Sequence, residues 1–430
     1  MDSLIRKYVF WMLDFLNGSN IRHNLKSIEN VIDKKNTNEK QLEEILMYTA
    51  KESEYYKNID PTNLNNFPVV NKSILQKEYD KILIGSKNER GLHWTCTSGS
   101  TGIPLKLPQN KEKRIRTKAD LIYFNKKAGW NIGDKYVFIR SWVNLYKMSK
   151  LRIIAQNFVI FDTNKFNDDE MMRLRKLLKK DRKIKCILGY SSAITSFVKY
   201  LNENKDNASM FNIKLVVTAS DELTQRGKDE IRKMFDCKVI NRISNEEHGL
   251  LAMNFDTDDY FTLNTASYYF ELLKLNSDLP AECGEIGRLV VTDLFNKKFP
   301  LIRYDIGDLA VGLAKDKNGS ISLLKSFEGR GRDIIYNTKG VPITCVTLST
   351  HICTNDNIKK YQLVVSKDKK KLKVVVENKN VELTQLKKEM CQLFGDDNFE
   401  IEIVENIEIE KNGKYKVIKK EEYAWKKCYF

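Results

Sequence analysis

Histidine is scarce, four residues in 430, and the eight cysteines (Cys96, Cys186, Cys237, Cys283, Cys345, Cys353, Cys391, Cys428) are dispersed with no CxxC pair. That scarcity argues against a zinc site and a disulfide framework, and it fits a reducing, cytoplasmic setting. No internal repeat is present, and no apolar run is long enough to span a bilayer. The nearest approach, Tyr8-Val-Phe-Trp-Met-Leu13 after Arg6 and Lys7, is interrupted by Asp14 and closes on Asn17-Gly-Ser-Asn20, a helix stop with no small-residue cleavage site. It predicts a helix packed on the main body, with a basic amphipathic helix touching the membrane surface as the alternative. An arginine-rich stripe interleaved with aromatics is also missing. The excess of 73 basic over 57 acidic residues, a net charge of +16, is mostly scattered lysine and does not predict nucleic-acid binding.

Hydrophobic residues make up 42% and charged residues 30%, the balance of a compact globular chain whose length suits two or three domains. Residues 1–90 read as a helical leader broken at Asp60-Pro61 and Phe67-Pro68, with Asn71-Lys-Ser73 able to cap another helix. From 91 to 325, short β-rich runs (Tyr136–Ile139, Cys186–Leu188, Leu215–Val217, Leu289–Val291) alternate with helical stretches such as Asp168–Lys180 and Ser192–Asn202, the spacing of βαβ units and an α/β sheet. After about residue 333 the pattern becomes strand, strand, helix, strand (Tyr361–Val365, Leu372–Val376, Leu383–Phe394, Phe399–Val404), which predicts a small α+β domain. The expected division is therefore 1–332 and 333–430. The Lys367–Lys371 run reads as a solvated hairpin tip.

The strongest local signal for chemistry is Thr97-Ser98-Gly99-Ser100-Thr101-Gly102, followed by Pro104 and Lys106. Its two glycines let the backbone turn close to a phosphate, while hydroxyls and main-chain amides supply donors. The spacing is not that of the GxxxxGK[ST] loop. Further segments follow in order: Val217-Thr-Ala-Ser220-Asp221-Glu-Leu223, Ile243-Ser-Asn-Glu246-Glu247, Arg303-Tyr-Asp-Ile-Gly-Asp308, Gly329-Arg330-Gly-Arg-Asp333 and Asn412-Gly-Lys414.

Together these six resemble the motifs of the adenylate-forming superfamily of acyl-CoA synthetases and adenylation domains. The short length, Gly189-Tyr-Ser-Ser192 and Ser-Asn-Glu-Glu are most similar to its phenylacetate-CoA ligase and CapK-like branch. The resemblance covers about 330 residues from the loop onward. It implies a large N-terminal adenylation domain of mixed sheets and helices with a small mobile C-terminal α+β domain. It implies a fixed cast of residues too: residues 97–102 on the β- and γ-phosphates of ATP, Ser220 and Asp221 beside the adenine, and Glu246 or Glu247 on Mg2+. Asp308 and Arg330 would hold the ribose, Asp333 would be the hinge, and Lys414 would act on the reacting carboxylate and α-phosphate. Arg242 and Ile243 stand where the family carries tyrosine and glycine.

The implied reaction turns a small carboxylic acid and ATP into an acyl-adenylate and pyrophosphate. The acyl group then passes to an amine on a sugar or amino acid, or to coenzyme A, with surface-polysaccharide modification as the context. A non-catalytic nucleotide-binding or scaffold member is the reading from another class. Trp142, Tyr190 and Tyr268 are candidate walls of the acid pocket, although aromatics in such segments are more often plain core.

Overall fold

In a computed structural model of the protein, residues 2–96, 105–141, 150–220, 223–255, 260–330, 334–352, 355, 357–366, 370–376, 382–395, 399–407 and 417–420 are described. The chain opens with helices α1 (Ser3–Leu16), α2 (Asn20–Ile32), α3 (Glu39–Glu52), α4 (Lys72–Lys77) and α5 (Tyr79–Ile82). Asn71 caps α4 by accepting from the Ile74 amide at 3.0 Å, as its position before the helix requires.

A hairpin of β1 (His93–Cys96) and β2 (Lys106–Gln109) follows, and its antiparallel register pairs Cys96 with Lys106. Then comes α6 (Lys111–Ala128), closed by Gly129 in the left-handed region.

An eleven-stranded sheet forms the body. Strands β3 (Lys135–Arg140), β4 (Phe158–Asp162), β5 (Ile184–Tyr190), β6 (Leu215–Ala219) and β7 (Lys238–Asn245) run parallel in the order β4-β3-β5-β6-β7. Helices α7 (Lys150–Gln156), α8 (Asp168–Lys180), α9 (Ser191–Glu203) and α10 (Gln225–Phe235) connect these strands after β3. The parallel strands are apolar on both faces because both are covered. Val137, Ile139, Ile187 and Val216 pack on α8, α9 and α10, while Leu188, Val217 and Ile240 pack on α2 and α6.

Beyond β7 the sheet turns antiparallel through β8 (Gly249–Met253), β9 (Phe261–Leu263), β13 (Ile321–Arg330), β12 (Tyr304–Lys315), β11 (Ile286–Asp293) and β10 (Tyr268–Leu273). The leader is stitched to this part, since Val70 donates to the Arg303 carbonyl at 3.0 Å and accepts from the Asp305 amide at 2.8 Å.

The last segment contains the short pair β14 (Ile335–Tyr336) and β15 (Pro342–Ile343), helices α11 (Cys345–Ile352) and α12 (Thr384–Phe394), and a four-stranded sheet. That sheet comprises β16 (Ile358–Val365), β17 (Lys370–Val376), β18 (Glu400–Ile403) and β19 (Ile418–Lys420) and has its own core of Leu363, Leu372, Val374, Met390 and Phe394.

One glycine holds the parallel strands at their spacing. A Cβ on Gly189 of β5 would lie 2.7 Å from the Ile139 carbonyl oxygen and 2.9 Å from its Cβ on β3. The obstacle is neighbouring backbone, so nothing can rotate away. Gly189→Ala is expected to cost about 1–3 kcal/mol of folding free energy, read as a lower urea midpoint at unchanged m-value.

Candidate active site

Open α/β sheets bind ligands in the crevice outside the carboxyl ends of their parallel strands. Here those ends place Arg140, Tyr190, Ser220 and the Glu246-Glu247 turn along one edge. Ser220 has φ +77°, a left-handed backbone carried by a non-glycine residue, which is the kind of strain that collects at functional sites.

The turn between β7 and β8 is set by Asn245, whose register partner is Gly249. The Asn245 side-chain oxygen accepts from the His248 amide at 2.8 Å and lies 3.2 Å from His248 Nδ1. This Asx-type closure folds His248 inward and leaves the two glutamates on the outer side. Glu246, 40% exposed, is 3.7 Å from the Arg140 guanidinium at the end of β3.

Glu247 joins two distant parts of the chain: its carbonyl accepts from Gln109 Nε2 at 3.2 Å, and its carboxylate accepts from the Tyr304 hydroxyl at 3.4 Å. Gln109 closes the hairpin that flanks residues 97–104. Tyr304 opens β12, the strand that carries Asp308.

Beneath this turn lies a buried polar network. His248 stacks on Tyr304 with ring centroids 5.8 Å apart and meets Tyr268 edge-on at 5.4 Å. The Tyr268 hydroxyl donates to the His248 carbonyl and accepts from Lys113 Nζ at 2.9 Å. Lys113 is in turn 2.6 Å from the Asp293 carboxylate, and both side chains are wholly buried.

One turn along α6, Arg116 donates to Ser267 Oγ at 2.8 Å and to the Ala266 carbonyl at 2.7 Å, and Ser267 donates to Asp120 at 2.7 Å. Burial pushes the Asp120 carboxyl up and the Arg116 guanidinium down, each opposed by the other's charge. It also holds His248 down to about 3, keeping that ring neutral.

The structure brings several of the expected residues together. Asp308 and Arg330 are direct cross-strand partners on β12 and β13. In the same segment Arg303 is committed elsewhere, to Glu271 at 2.8 Å and the Phe67 carbonyl at 3.0 Å, and Asp305 to Arg288 at 2.7 Å. Gly307, at φ +79°, turns the backbone between Asp305 and Asp308. Thr97, Ser98, Gly99, Ser100, Thr101, Gly102, Asp221, Asp333 and Lys414 lie outside the described residues, as does Trp142.

Of the two readings open for Tyr268, pocket wall or plain core, the structure gives the core: it is 0% exposed and engaged by the Lys113 and His248 contacts.

Sequence reasoning missed Gln109, Lys113, Arg116, Asp120, Arg140, His248 and Asp293. A weak signal existed in α6, where Lys113, Arg116 and Asp120 share one face at helical spacing. Arg242 was noticed only as a departure. Its Nε is shut off from water, and among the described residues its side chain makes no hydrogen bond or ion pair. Burial pushes its guanidinium down to about 10; the Arg140 charge adds to that effect while Tyr136 and Cys186 oppose it. Such a cation, at the carboxyl end of a parallel strand, is suited to an anionic group of a ligand.

The Glu246-Glu247 pair also fits Mg2+. One or two carboxylate oxygens completed by phosphate and water are the usual donor set for this hard ion, and both glutamates of the turn are partly exposed.

No protein-family model matches the sequence. Protein CapK of Staphylococcus aureus is 28% identical over 406 residues, 87% of this chain and 86% of that protein. Among solved structures, 2-hydroxyisobutyryl-CoA ligase in its postadenylation state with 2-HIB-AMP superposes with a TM-score of 0.68 at 18% identity, over 89% of this chain and 88% of that one. With 2-HIB-AMP and CoA in its thioesterification state the same enzyme scores 0.54 at 18% identity, over 89% of each chain. ATP-bound MatB of Rhodopseudomonas palustris scores 0.56 at 14% identity, over 75% of this chain and 65% of that one. At these identities the structural likeness establishes the fold.

Two outcomes are expected. Because His248 stays neutral when folded but takes up a proton near 6.5 when unfolded, its contribution is complete above pH 6.5. It is lost as pH falls toward 3, by about 1.4 kcal/mol per unit. His248→Gln should flatten the stability profile across that window in denaturant titrations. Arg242→Met removes a charge with no hydrogen-bond or ion-pair partner among the described residues, so its melting temperature should equal or exceed that of the parent chain.

Proposed function

We propose that this chain is a CapK-like member of the adenylate-forming superfamily, a reading its likeness to CapK and its fold support, and that it activates a carboxylic acid with ATP and passes the acyl group to an acceptor. An oxygen of the acid attacks the α-phosphorus, the bond to the bridging oxygen breaks, and pyrophosphate leaves with the electron pair. The acyl-adenylate then yields its acyl group to a nucleophile and releases AMP.

The observation that carries this reading is the convergence at Glu247. Through Gln109 and Tyr304 one residue ties the hairpin flanking the 97–102 loop to the strand of Asp308, which itself faces Arg330. Three segments separated by some two hundred residues of chain thus share the carboxyl edge of the sheet.

In this assignment residues 97–102 cradle the β- and γ-phosphates, Ser220 and Asp221 border the adenine, and Asp308 with Arg330 holds the ribose. An ionised carboxylate can accept from both hydroxyls of a vicinal diol. Glu247 is the metal carboxylate, and Glu246 remains with Arg140. Bound Mg2+ would neutralise charge developing on the pyrophosphate. Arg242 meets an anionic group of the acid. Lys414 stabilises the α-phosphoryl transition state, with Asp333 as the joint about which residues 333–430 rotate between the two half-reactions. The CapK likeness favours an amine on a polysaccharide precursor as acceptor over coenzyme A.

Pyrophosphate exchange into ATP, driven by a panel of carboxylic acids, tests the reaction, and AMP release with added amines or CoA sorts the acceptors. Lys414→Ala should reduce exchange by about a hundredfold or more at unchanged melting temperature. Undiminished exchange would take the lysine out of this role, and a panel without any exchanging acid would end the ligase reading.

A further inference from the structure

Helix α1 is inside out. The residues of α1 that are not exposed are Ser3, Arg6, Phe10, Trp11 and Asp14, gathered on one helical face, and three of the five are polar. The helix is held by its backbone and by two of these side chains. The backbone carbonyl of Ser3 sits only 2.4 Å from where a Cβ on Gly133 would stand, a close approach that needs the glycine. Arg6 donates to the Ile154 carbonyl, and to that of Ala155 at 3.2 Å. Asp14, 6% exposed, accepts from the Ile21 and Arg22 amides at 3.0 and 3.2 Å and so caps the next helix.

The opposite face is apolar and faces solvent. Leu4, Tyr8, Met12, Leu13, Phe15 and Leu16 are 50% to 75% exposed. A water-facing helix ordinarily has the reverse arrangement, and a contiguous apolar patch of this kind marks an interaction surface.

We propose that α1 docks this face into the interfacial layer of an anionic lipid bilayer. Charge selects this occupant. Within α1 the one acidic side chain, Asp14, is buried, whereas Lys7 is exposed. On α2, Arg22 and Lys26 are exposed one turn apart, and Arg22 lies over the Trp11 ring at 5.2 Å. A second copy would bring two such basic rims, each on a chain of net charge +16, against one another. A bilayer supplies both the apolar depth and the counter-charge.

Fourteen residues span about 21 Å, which is too short to cross, and no helix among the described residues is long and apolar enough to do so. The helix therefore lies in the surface plane. The points it grips, Gly133 before β3 and Ile154-Ala155 before β4, are at the amino ends of the parallel strands, opposite the edge that carries Glu246 and Glu247.

This inference is independent of the ligase chemistry, and so is its test. The full chain is sedimented with phosphatidylcholine vesicles with and without phosphatidylserine, alongside Leu13→Glu/Phe15→Glu, an exposed pair whose replacement leaves the core untouched. Binding to the phosphatidylserine vesicles is expected, weaker by about tenfold or more for phosphatidylcholine alone and abolished in the double variant at unchanged melting temperature. Failure to bind the anionic vesicles, or binding that the double variant retains, overturns the proposal. So does a dimer in gel filtration that the variant turns into a monomer, which would give the face to a second copy.

Discussion

The ion pair between Lys113 and Asp293, both withdrawn completely from water, sets the geometry of the carboxyl edge. Removing either charge would leave the other unpaired in the interior, so α6 and β11 are locked in one relative position. From Lys113 the constraint passes to the Tyr268 hydroxyl, from Tyr268 to the His248 backbone, and from the His248 ring to Tyr304. The two glutamates of the turn are thereby presented by a rigid footing rather than by a free loop. Neutral His248 completes the arrangement, because a second cation beside Lys113 would oppose the pair that holds everything above it.

Above that footing the contacts are weaker and more exchangeable. Glu246 and Arg140 are 3.7 Å apart and partly solvated, a pair worth little in water. The Glu247–Tyr304 hydrogen bond is long at 3.4 Å. A stiff base carrying loosely engaged carboxylates suits the proposed ligase reading, in which the site would trade partners as nucleotide arrives and pyrophosphate departs.

Much of this architecture was legible from local pattern. Helix α8 occupies Asp168–Lys180 as read, with Asn167 accepting from the Glu170 amide, and the apolar runs around Val137, Ile187 and Val216 are indeed the buried parallel strands. The edge residues could be found because each motif compresses its chemistry into a few neighbouring positions. The network under them could not. Lys113, Arg116, Asp120 and Asp293 are ordinary letters in a lysine-rich chain, and their meaning comes from contacts far apart in sequence, 147 residues between Asp120 and Ser267 and 151 between Arg116 and Ser267. Helix α1 is a different case. The sequence predicts a helix packed on the main body, or an amphipathic one at a membrane surface, without saying which side is docked. Only the paired positions of Arg6, Asp14 and Gly133 reveal that the polar side is the docked one.

The six residues of β3 separate its amino end, where α1 is held, from Arg140 at the other. At about 3.3 Å each they set the two roughly 20 Å apart. The negative potential of a charged surface decays over about 8 Å in physiological salt, so more than two such lengths intervene. A polyanion as heavily charged as a nucleoside triphosphate could thus approach the far edge without feeling repulsion from lipid phosphates. Strand length alone would insulate one anion from the other.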